Sequence, residues 1–416
     1  MLRVIPLLGL CFFVFVAWLL SEDRKMFPWR TLMWGCGLQF FFAVLILGVP
    51  ALGIPGAFGF VFEFLNTFVS KLLSFSDKGA EFLFGSLMSA ESHGYVFAFR
   101  ALPTILFFSS LVAILYHLGI LQRVVGLMAK VMQKTLRSSG AESLSAAANV
   151  FVGQTEAPLI VKPFLSTMTR SEIFTVMVAG MATVAGGVLA AYVGLLQDSI
   201  PTIAGHLVTA SVMSAPAALL MAKIMVPEKE EPQTMGEVKL VVEKIDTNVI
   251  EAAARGASDG LMLALNVAAM LIVFISLIAM VNYFFGAAGD FFGAEVPWTL
   301  EGILGRLFAP VAFLMGIPWE ESSQVGAWLG EKIVLNEFVA YVHLAEVKNL
   351  LSERTLIISS YALCGFANFS SIGIQLGGIG AIAPNKRSEI AQLGLRAMIA
   401  GNLAAFMTAA WVALLI

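Results

Sequence analysis

Two short stretches concentrate the groups with which this sequence could hold a polar solute. Gly153-Gln154-Thr155-Glu156 sets an amide, a hydroxyl and a carboxylate at consecutive positions, and Asn336-Glu337-Phe338 sets a second carboxylate beside another amide. Gln154 pairs a carbonyl acceptor with an amide donor, Thr155 adds a hydroxyl and Glu156 two acceptor oxygens, a set suited to a planar ligand with alternating donors and acceptors. Glu337, with Asn368 and Ser371 farther along, gathers the partners a sugar diol needs, and Phe366 could pack against a ring. Asn149 and Thr183, with freed backbone carbonyls near them, could coordinate a small hard cation such as sodium. Plainer readings stand beside these. Lys162 and Lys332 could neutralise Glu156 and Glu337, Phe366 is one of 33 phenylalanines, and Asn149 and Thr183 could be packing residues.

The carboxylates stand out because of what surrounds them. Hydrophobic residues make up 59% of 416 positions and charged residues 13%, against about 45–50% and 25% in soluble domains. A soluble chain is excluded. An ionisable group at bilayer depth costs a few kcal/mol or more, so each glutamate there needs a reason. The net charge of −3 and the lack of a basic run with interleaved aromatics argue against nucleic acid as a partner. Cys11, Cys36 and Cys364 match no metal or redox spacing. The four histidines, His93, His117, His206 and His343, form no metalloenzyme pattern, and no nucleophile elbow or phosphate-binding loop occurs. An enzyme or an ATP-driven motor is not expected.

These groups must be positioned by membrane helices. Apolar runs near residues 2–20, 31–53, 97–118, 172–196, 203–224, 258–284, 355–383 and 390–416 give eight spans, each near the ~20 residues a bilayer core requires. The first resembles a signal peptide but lacks a small-residue cleavage site, and it is read as a retained span. Basic residues cluster at Arg24, Lys25 and Arg30; at Arg123, Lys130, Lys134 and Arg137; at Lys223, Lys229, Lys239, Lys244 and Arg255; and at Lys386 and Arg387. Alternating spans put all four clusters on one side, which the positive-inside rule makes cytoplasmic, with both termini outside. Residues 54–92, broken by Pro55, Gly56 and Gly59 and carrying Glu63, Lys71, Asp77, Lys78, Glu81 and Glu91, suit helices lying along the outer interface. Residues 141–168 and 300–348 are apolar at both ends and polar at the centre, which predicts two re-entrant hairpins with the polar motifs at their tips. Pro158 fits the first turn of the returning half of the first hairpin, and Pro163 should kink it.

The hairpins head an internal repeat. Setting Gln154-Thr155-Glu156 over Leu335-Asn336-Glu337 brings Thr169-Arg170-Ser171-Glu172 near Ser352-Glu353-Arg354-Thr355, and a span interrupted by small and polar residues follows each. From glutamate to interruption the spacings are 27 residues (156 to 183) and 31 (337 to 368). The hairpins enter from opposite sides, so the repeat is inverted, as in secondary transporters whose sites lie where the repeats meet.

Gly153-Gln154-Thr155-Glu156-Ala157-Pro158-Leu159 and the run from Gly330 through Asn336-Glu337-Phe338-Val339-Ala340-Tyr341 resemble the two signature motifs of the concentrative nucleoside transporters. The resemblance continues through Gly365-Phe366-Ala367-Asn368-Phe369-Ser370-Ser371-Ile372-Gly373 and covers most of the chain after about residue 95. It implies an all-α, elevator-type homotrimer in a bacterial inner membrane that imports nucleosides such as uridine with sodium. Residues matching Gln154, Thr155 and Glu156 would bind the base, with Val188 and Phe366 against the ring, and those matching Glu337, Asn368 and Ser371 the ribose. The sodium ligands would match Asn149 and Thr183 by side chain and Val152 and Val184 by carbonyl. Scaffold helices would occupy residues 1–140, the first transport repeat 141–225, a cytoplasmic linker and scaffold span 226–299, and the second transport repeat 300–416. Ala157-Pro158-Leu159 resembles the sodium-coupled rather than the proton-coupled type. Rival classes are a nucleoside-binding gate without flux and an intramembrane enzyme using Glu156 and Glu337 as an acid–base pair.

Overall fold

Lipid offers the backbone no hydrogen-bond partners, so a chain this apolar has to close its own peptide groups in helices. The computed structural model describes residues 4–49, 53, 56, 59–88, 96–236, 246–294, 297–347 and 350–416, and among them every regular element is helical. Pro55, Glu91, His93, Lys239 and Lys244 lie outside the described residues. The helices run α1 (Ile5–Leu19), α2 (Trp29–Leu47), α3 (Gly59–Phe84), α4 (Phe97–His117), α5 (Ile120–Leu136), α6 (Gly140–Ala148), α7 (Ala157–Ile160), α8 (Lys162–Leu165) and α9 (Arg170–Ala182). They continue with α10 (Gly186–Leu196), α11 (Ile203–Met225), α12 (Val249–Phe291), α13 (Leu300–Leu314), α14 (Trp319–Val334), α15 (Glu337–Glu346), α16 (Glu353–Leu363), α17 (Phe369–Ile382) and α18 (Arg387–Leu415).

Six of the eight expected spans, α2, α4, α9–α10, α11, α12 and α18, are long and apolar enough to cross a bilayer, α1 is a shorter apolar helix, and the expected span at 355–383 is divided into α16 and the short apolar α17. α9, α10, α11 and α18 are buried along nearly their whole lengths and form the core. α12, at 43 residues, is about 64 Å long. It buries one stripe, including Ala252, Gly256, Gly260 and Ala264. A Cβ at Gly256 would come within 2.7 Å of Ser109 and Ala113, and one at Gly260 within 2.8 Å of Leu106, so small residues at this spacing let α12 lie against α4. α3 buries Val69, Leu73, Ser76 and Ala80, one helical face, while Phe64, Phe68, Phe75 and Phe82 stay exposed. That is the form expected of an interfacial helix.

One boundary is corrected. Residues 300–348 do not form a single hairpin: α13 is a separate helix that turns by 117° into α14, and the hairpin proper is α14 and α15. Gly316, at φ +96°, and Pro318 end α13 and start α14. The two helices pack closely through glycines, since a Cβ at Gly305 would meet the Ser323 carbonyl at 2.7 Å.

The inversion follows from which ends of α1 and α18 each repeat meets. Arg170, opening α9, pairs with Glu22 just beyond α1 at 2.8 Å and lies 3.8 Å from Glu389 in the first turn of α18. Arg354, opening α16, donates instead to the carbonyls of Ile416 and Ala413 at the far end of α18, at 2.6 and 2.7 Å. The base of α14 joins it there, with Ser352 donating to Glu321 at 2.9 Å. The first hairpin's base lies with α9, where the Ser139 hydroxyl donates to Glu172 at 2.5 Å. The repeats therefore open at opposite ends of the bundle.

Candidate functional site

Local chemistry shapes both tips. Ser139 and Glu142 form a capping box that starts α6, which stops at Asn149. The chain then turns through Gly153, whose carbonyl accepts from the amides of Glu156 at 3.2 Å and Ala157 at 3.0 Å. A Cβ at Gly153 would collide with the Glu156 carboxylate folded over it. Pro158 lies in the first turn of α7, and the helix breaks at Val161 before Pro163, as expected. In the second hairpin, Asn336 caps α15 by accepting from the Val339 amide at 3.0 Å. This makes Glu337 the first residue of α15, where the helix dipole favours a carboxylate.

The two tips are joined by a continuous hydrogen-bonded chain. Gln154 Nε2 donates to Ser371 Oγ at 3.0 Å, the Ser371 amide donates to Asn368 Oδ1 at 2.9 Å, and Asn368 Nδ2 donates to Glu337 Oε2 at 2.9 Å. Tyr192 on α10 donates its hydroxyl to Glu337 Oε1 at 2.8 Å. Gln375, one turn beyond Ser371, donates to both Gln154 Oε1 at 3.1 Å and the Met177 carbonyl at 2.9 Å. Glycines leave room for the chain. A Cβ at Gly180 would stand 2.8 Å from the Cβ of Gln154, and one at Gly378 3.1 Å from the Thr155 methyl. Gly378 of the glycine-rich 377–380 run thus packs against the first tip.

Neither glutamate forms a direct ion pair with the lysine its plainer reading named, although Lys332 acts on Glu337 electrostatically. Glu156 is exposed and has no ion-pair partner among the described residues, and Lys332 donates to the Ala362 carbonyl at 2.8 Å rather than pairing with Glu337. Val188 is buried two residues into α10, and Phe366 is half-buried with its amide on the Thr183 carbonyl at 3.2 Å. That bond ties one span interruption to the other. Tyr192 and Gln375 were not picked out from sequence; Gln375 carried a signal, being polar and one helical turn from Ser371.

The segments that carry Asn149 and Val152 and that carry Thr183 and Val184 are fastened together, because the Gly186 amide donates to the Phe151 carbonyl at 3.0 Å and ties the tip to the interruption after α9. Asn149 is fully buried; its Nδ2 donates to the Ser145 carbonyl at 2.9 Å, and its Oδ1 has no hydrogen-bond partner. Thr183 donates its hydroxyl to the Ala179 carbonyl at 2.9 Å, which leaves its oxygen lone pairs available. A buried acceptor without a donor needs an explanation, and a monovalent cation held by neutral oxygens supplies one.

Comparison with known proteins agrees with this geometry. Residues 8–87 and 206–413 match the models described as the N-terminus and C-terminus of the Na+ dependent nucleoside transporter, and residues 98–199 match the Gate model, nucleoside recognition. "Uncharacterized transporter YutK" of Bacillus subtilis is 45% identical over 97% of this chain and 97% of its own length. "Sodium/nucleoside cotransporter 1" of Rattus norvegicus is 38% identical over 98% of this chain, which spans 63% of that longer protein. The inward-facing substrate-bound structure of CNTnw matches with a TM-score of 0.91 and 42% identity over 100% of this chain and 98% of that one. An intermediate state of the same protein matches at 0.92 and 42% identity, over 100% and 99%.

Proposed function

Since the chain belongs to the Na+ dependent nucleoside transporter family, and so is a multi-pass symporter rather than an enzyme, we propose how its own residues divide the work. Gln154, Thr155 and Glu156 read the base, with Val188 and Phe366 against the ring, while Glu337, Asn368 and Ser371 hold the ribose. The observation that carries this division is the chain of hydrogen bonds from Gln154 through Ser371 and Asn368 to Glu337. It lines up base-reading and ribose-reading groups within one solute's length and leaves Glu156 open to accept a ligand.

Sodium sits between Asn149, Val152, Thr183 and Val184. It supplies the charge that the orphaned Asn149 oxygen lacks and fixes the first tip, so that the nucleoside binds to an ordered site and both cross together. Residues 141–225 and 300–416 form the moving transport domain, and 1–140 with 226–299 the scaffold. α1 and α2 pack on α11 and α18, which makes these two helices the place where that division is best tested. The protein works as a homotrimer in a bacterial inner membrane, in contact with lipid, with its basic loops cytoplasmic and both termini outside.

The test is uptake of radiolabelled uridine into proteoliposomes with sodium and proton gradients imposed separately. Sodium-driven accumulation is expected, and accumulation driven by protons alone would overturn the assignment of the ion site.

A further inference from the structure

The oxygen and nitrogen of a side-chain amide are nearly alike in size, so its hydrogen-bond partners fix which way it faces. Gln154 has two such partners. Its Nε2 donates to Ser371 Oγ at 3.0 Å, and its Oε1 accepts from Gln375 Nε2 at 3.1 Å. Ser371 alone does not fix the amide, because a hydroxyl both donates and accepts and suits either orientation. Gln375 does fix it. Its Nε2 also donates to the Met177 carbonyl at 2.9 Å, and a backbone carbonyl only accepts, so this end of Gln375 has to be the nitrogen. With both protons of that nitrogen directed at oxygens, the Gln154 atom facing it has to be Oε1. Nε2 of Gln154 is then left to face Ser371.

The other amide of the site is set differently. Asn368 Oδ1 accepts from the Ser371 amide at 2.9 Å and from the Ser370 hydroxyl at 2.7 Å, which turns Nδ2 toward Glu337. Asn368 is thus oriented by its own helix cap, whereas Gln154 depends on a side chain of α17 that is itself anchored on α9. Gln154, Ser371 and Gln375 are all buried, Gln375 completely, and in such surroundings hydrogen bonds are strong and orientation is costly to reverse. Gly180 makes the room, since a Cβ there would stand 2.8 Å from the Gln154 Cβ and 2.9 Å from Gln375 Nε2. Gln375 Oε1 has no hydrogen-bond partner. An apolar side chain of the same length would fill this space without an orphaned oxygen, so packing does not account for an amide here, and its nitrogen is what the position uses.

We propose that Gln375 is a specificity-determining positioning residue, which locks the Gln154 amide in one orientation so that the first tip shows the base a fixed order of donor and acceptor. This rests on the proposed reading of the base by Gln154. In the locked orientation Gln154 keeps a second proton on Nε2 and a second lone pair on Oε1 for the solute, and Ser371, having accepted from Gln154, keeps its own proton to donate. A base edge whose acceptor and donor match that order is favoured. An edge with the two exchanged is penalised, and uracil and cytosine differ in this way at ring positions 3 and 4. Gln375 acts through Gln154.

The experiment measures uptake of radiolabelled uridine into proteoliposomes of the intact protein against unlabelled uridine, cytidine and 3-deazauridine, and compares the ratios of their inhibition constants. Gln375→Met keeps the length of the side chain and removes both donors. At least one ratio should shift by about fivefold, within the range that one neutral hydrogen bond supports. Equal weakening of all three nucleosides, with wild-type ratios, would reduce Gln375 to packing and overturn the proposal. If Gln375→Met folds poorly, Gln375→Glu decides, because a carboxyl group carries at most one proton and cannot serve Met177 and Gln154 together; wild-type ratios in that variant also overturn the proposal. In a Gln154→Ala background, Gln375→Met should leave the ratios where Gln154→Ala put them, since a residue that acts through another is not additive with it. A full further shift there would show that Gln375 does not act through Gln154. Failure of the underlying reading would appear separately, as a Gln154→Ala variant with wild-type ratios.

Discussion

Glu337 is held by two neutral donors, the Tyr192 hydroxyl and the Asn368 amide, and hydrogen bonds to charged groups contribute about 1.5–3 kcal/mol each. Glu337→Gln keeps the shape but turns an acceptor into a donor. Uridine KM should rise roughly tenfold to a hundredfold, with the melting temperature within a few degrees of wild type; normal transport by this variant would refute the ribose assignment. Tyr192→Phe probes the same carboxylate from its other side. It keeps the ring stacked on Tyr341, at 4.3 Å between centroids, so KM should rise severalfold without a fall in expression. Glu156 and Glu337 were legible in the sequence because a carboxylate in an apolar run has few explanations. Tyr192 was not, because an aromatic residue in a membrane helix reads as packing until its hydroxyl is seen to reach a carboxylate.

Helices and breaks were legible where a residue forces them. Pro158 and Pro163 lie where the returning arm starts and breaks, as read from the sequence, whereas the capping boxes of Ser139 with Glu142 and Thr169 with Glu172 were not picked out there. The separate helix α13 escaped because its residues are as apolar as those of α14, and only Gly316 and Pro318 mark the turn between them. The interruption of the second broken span was read at Asn368, yet α16 ends at Leu363 with Cys364 as its cap, because hydropathy does not report where helical hydrogen bonding stops. The interlock between elements gives its own prediction. Gly180 on α9 lies against Gln154 of the first tip and Gln375 of α17, and an added Cβ would come within 2.8 Å of one and 2.9 Å of the other. Gly180→Ala should push these amides apart and raise uridine KM several-fold. Half-saturating sodium should stay near wild type, since the atoms nearest that Cβ belong to Gln154 and Gln375 rather than to Asn149 or Thr183. A variant whose sodium dependence shifts while its uridine KM does not would show that the tip, rather than the amide pair, had moved.

Across the whole molecule, charges knit the loops of one face. Glu22 pairs with Arg170 at 2.8 Å and lies 3.8 Å from Arg396, Lys229 meets Asp23 at 3.1 Å, and Lys386 meets Glu389 at 3.0 Å. This gathers the loops before α2, before α9, after α11 and before α18, the side that the basic clusters indicated. The Arg170 guanidinium bonded to Glu22 holds that carboxyl below its ordinary value of 4.5. A lowered folded pKa stabilises above the unfolded value, and the contribution is lost as pH falls through the folded one. The melting temperature should therefore drop as the pH falls below the ordinary value of 4.5, and drop less in Glu22→Gln; equal slopes would show that this pair does not contribute. Transport itself is decided at the same scale, by the charge that crosses with each nucleoside. One sodium entering across ~100 mV releases ~2.3 kcal/mol, and a tenfold sodium gradient adds ~1.4 kcal/mol. Together they sustain a uridine gradient of roughly 500-fold, whereas two ions would sustain one above roughly 100,000-fold, since each ~1.4 kcal/mol is worth a factor of ten. With both gradients clamped in proteoliposomes, internal labelled uridine should level off near the lower limit and fall about tenfold when the sodium gradient is abolished at constant potential. A plateau far above it would mean that more than one ion drives each cycle.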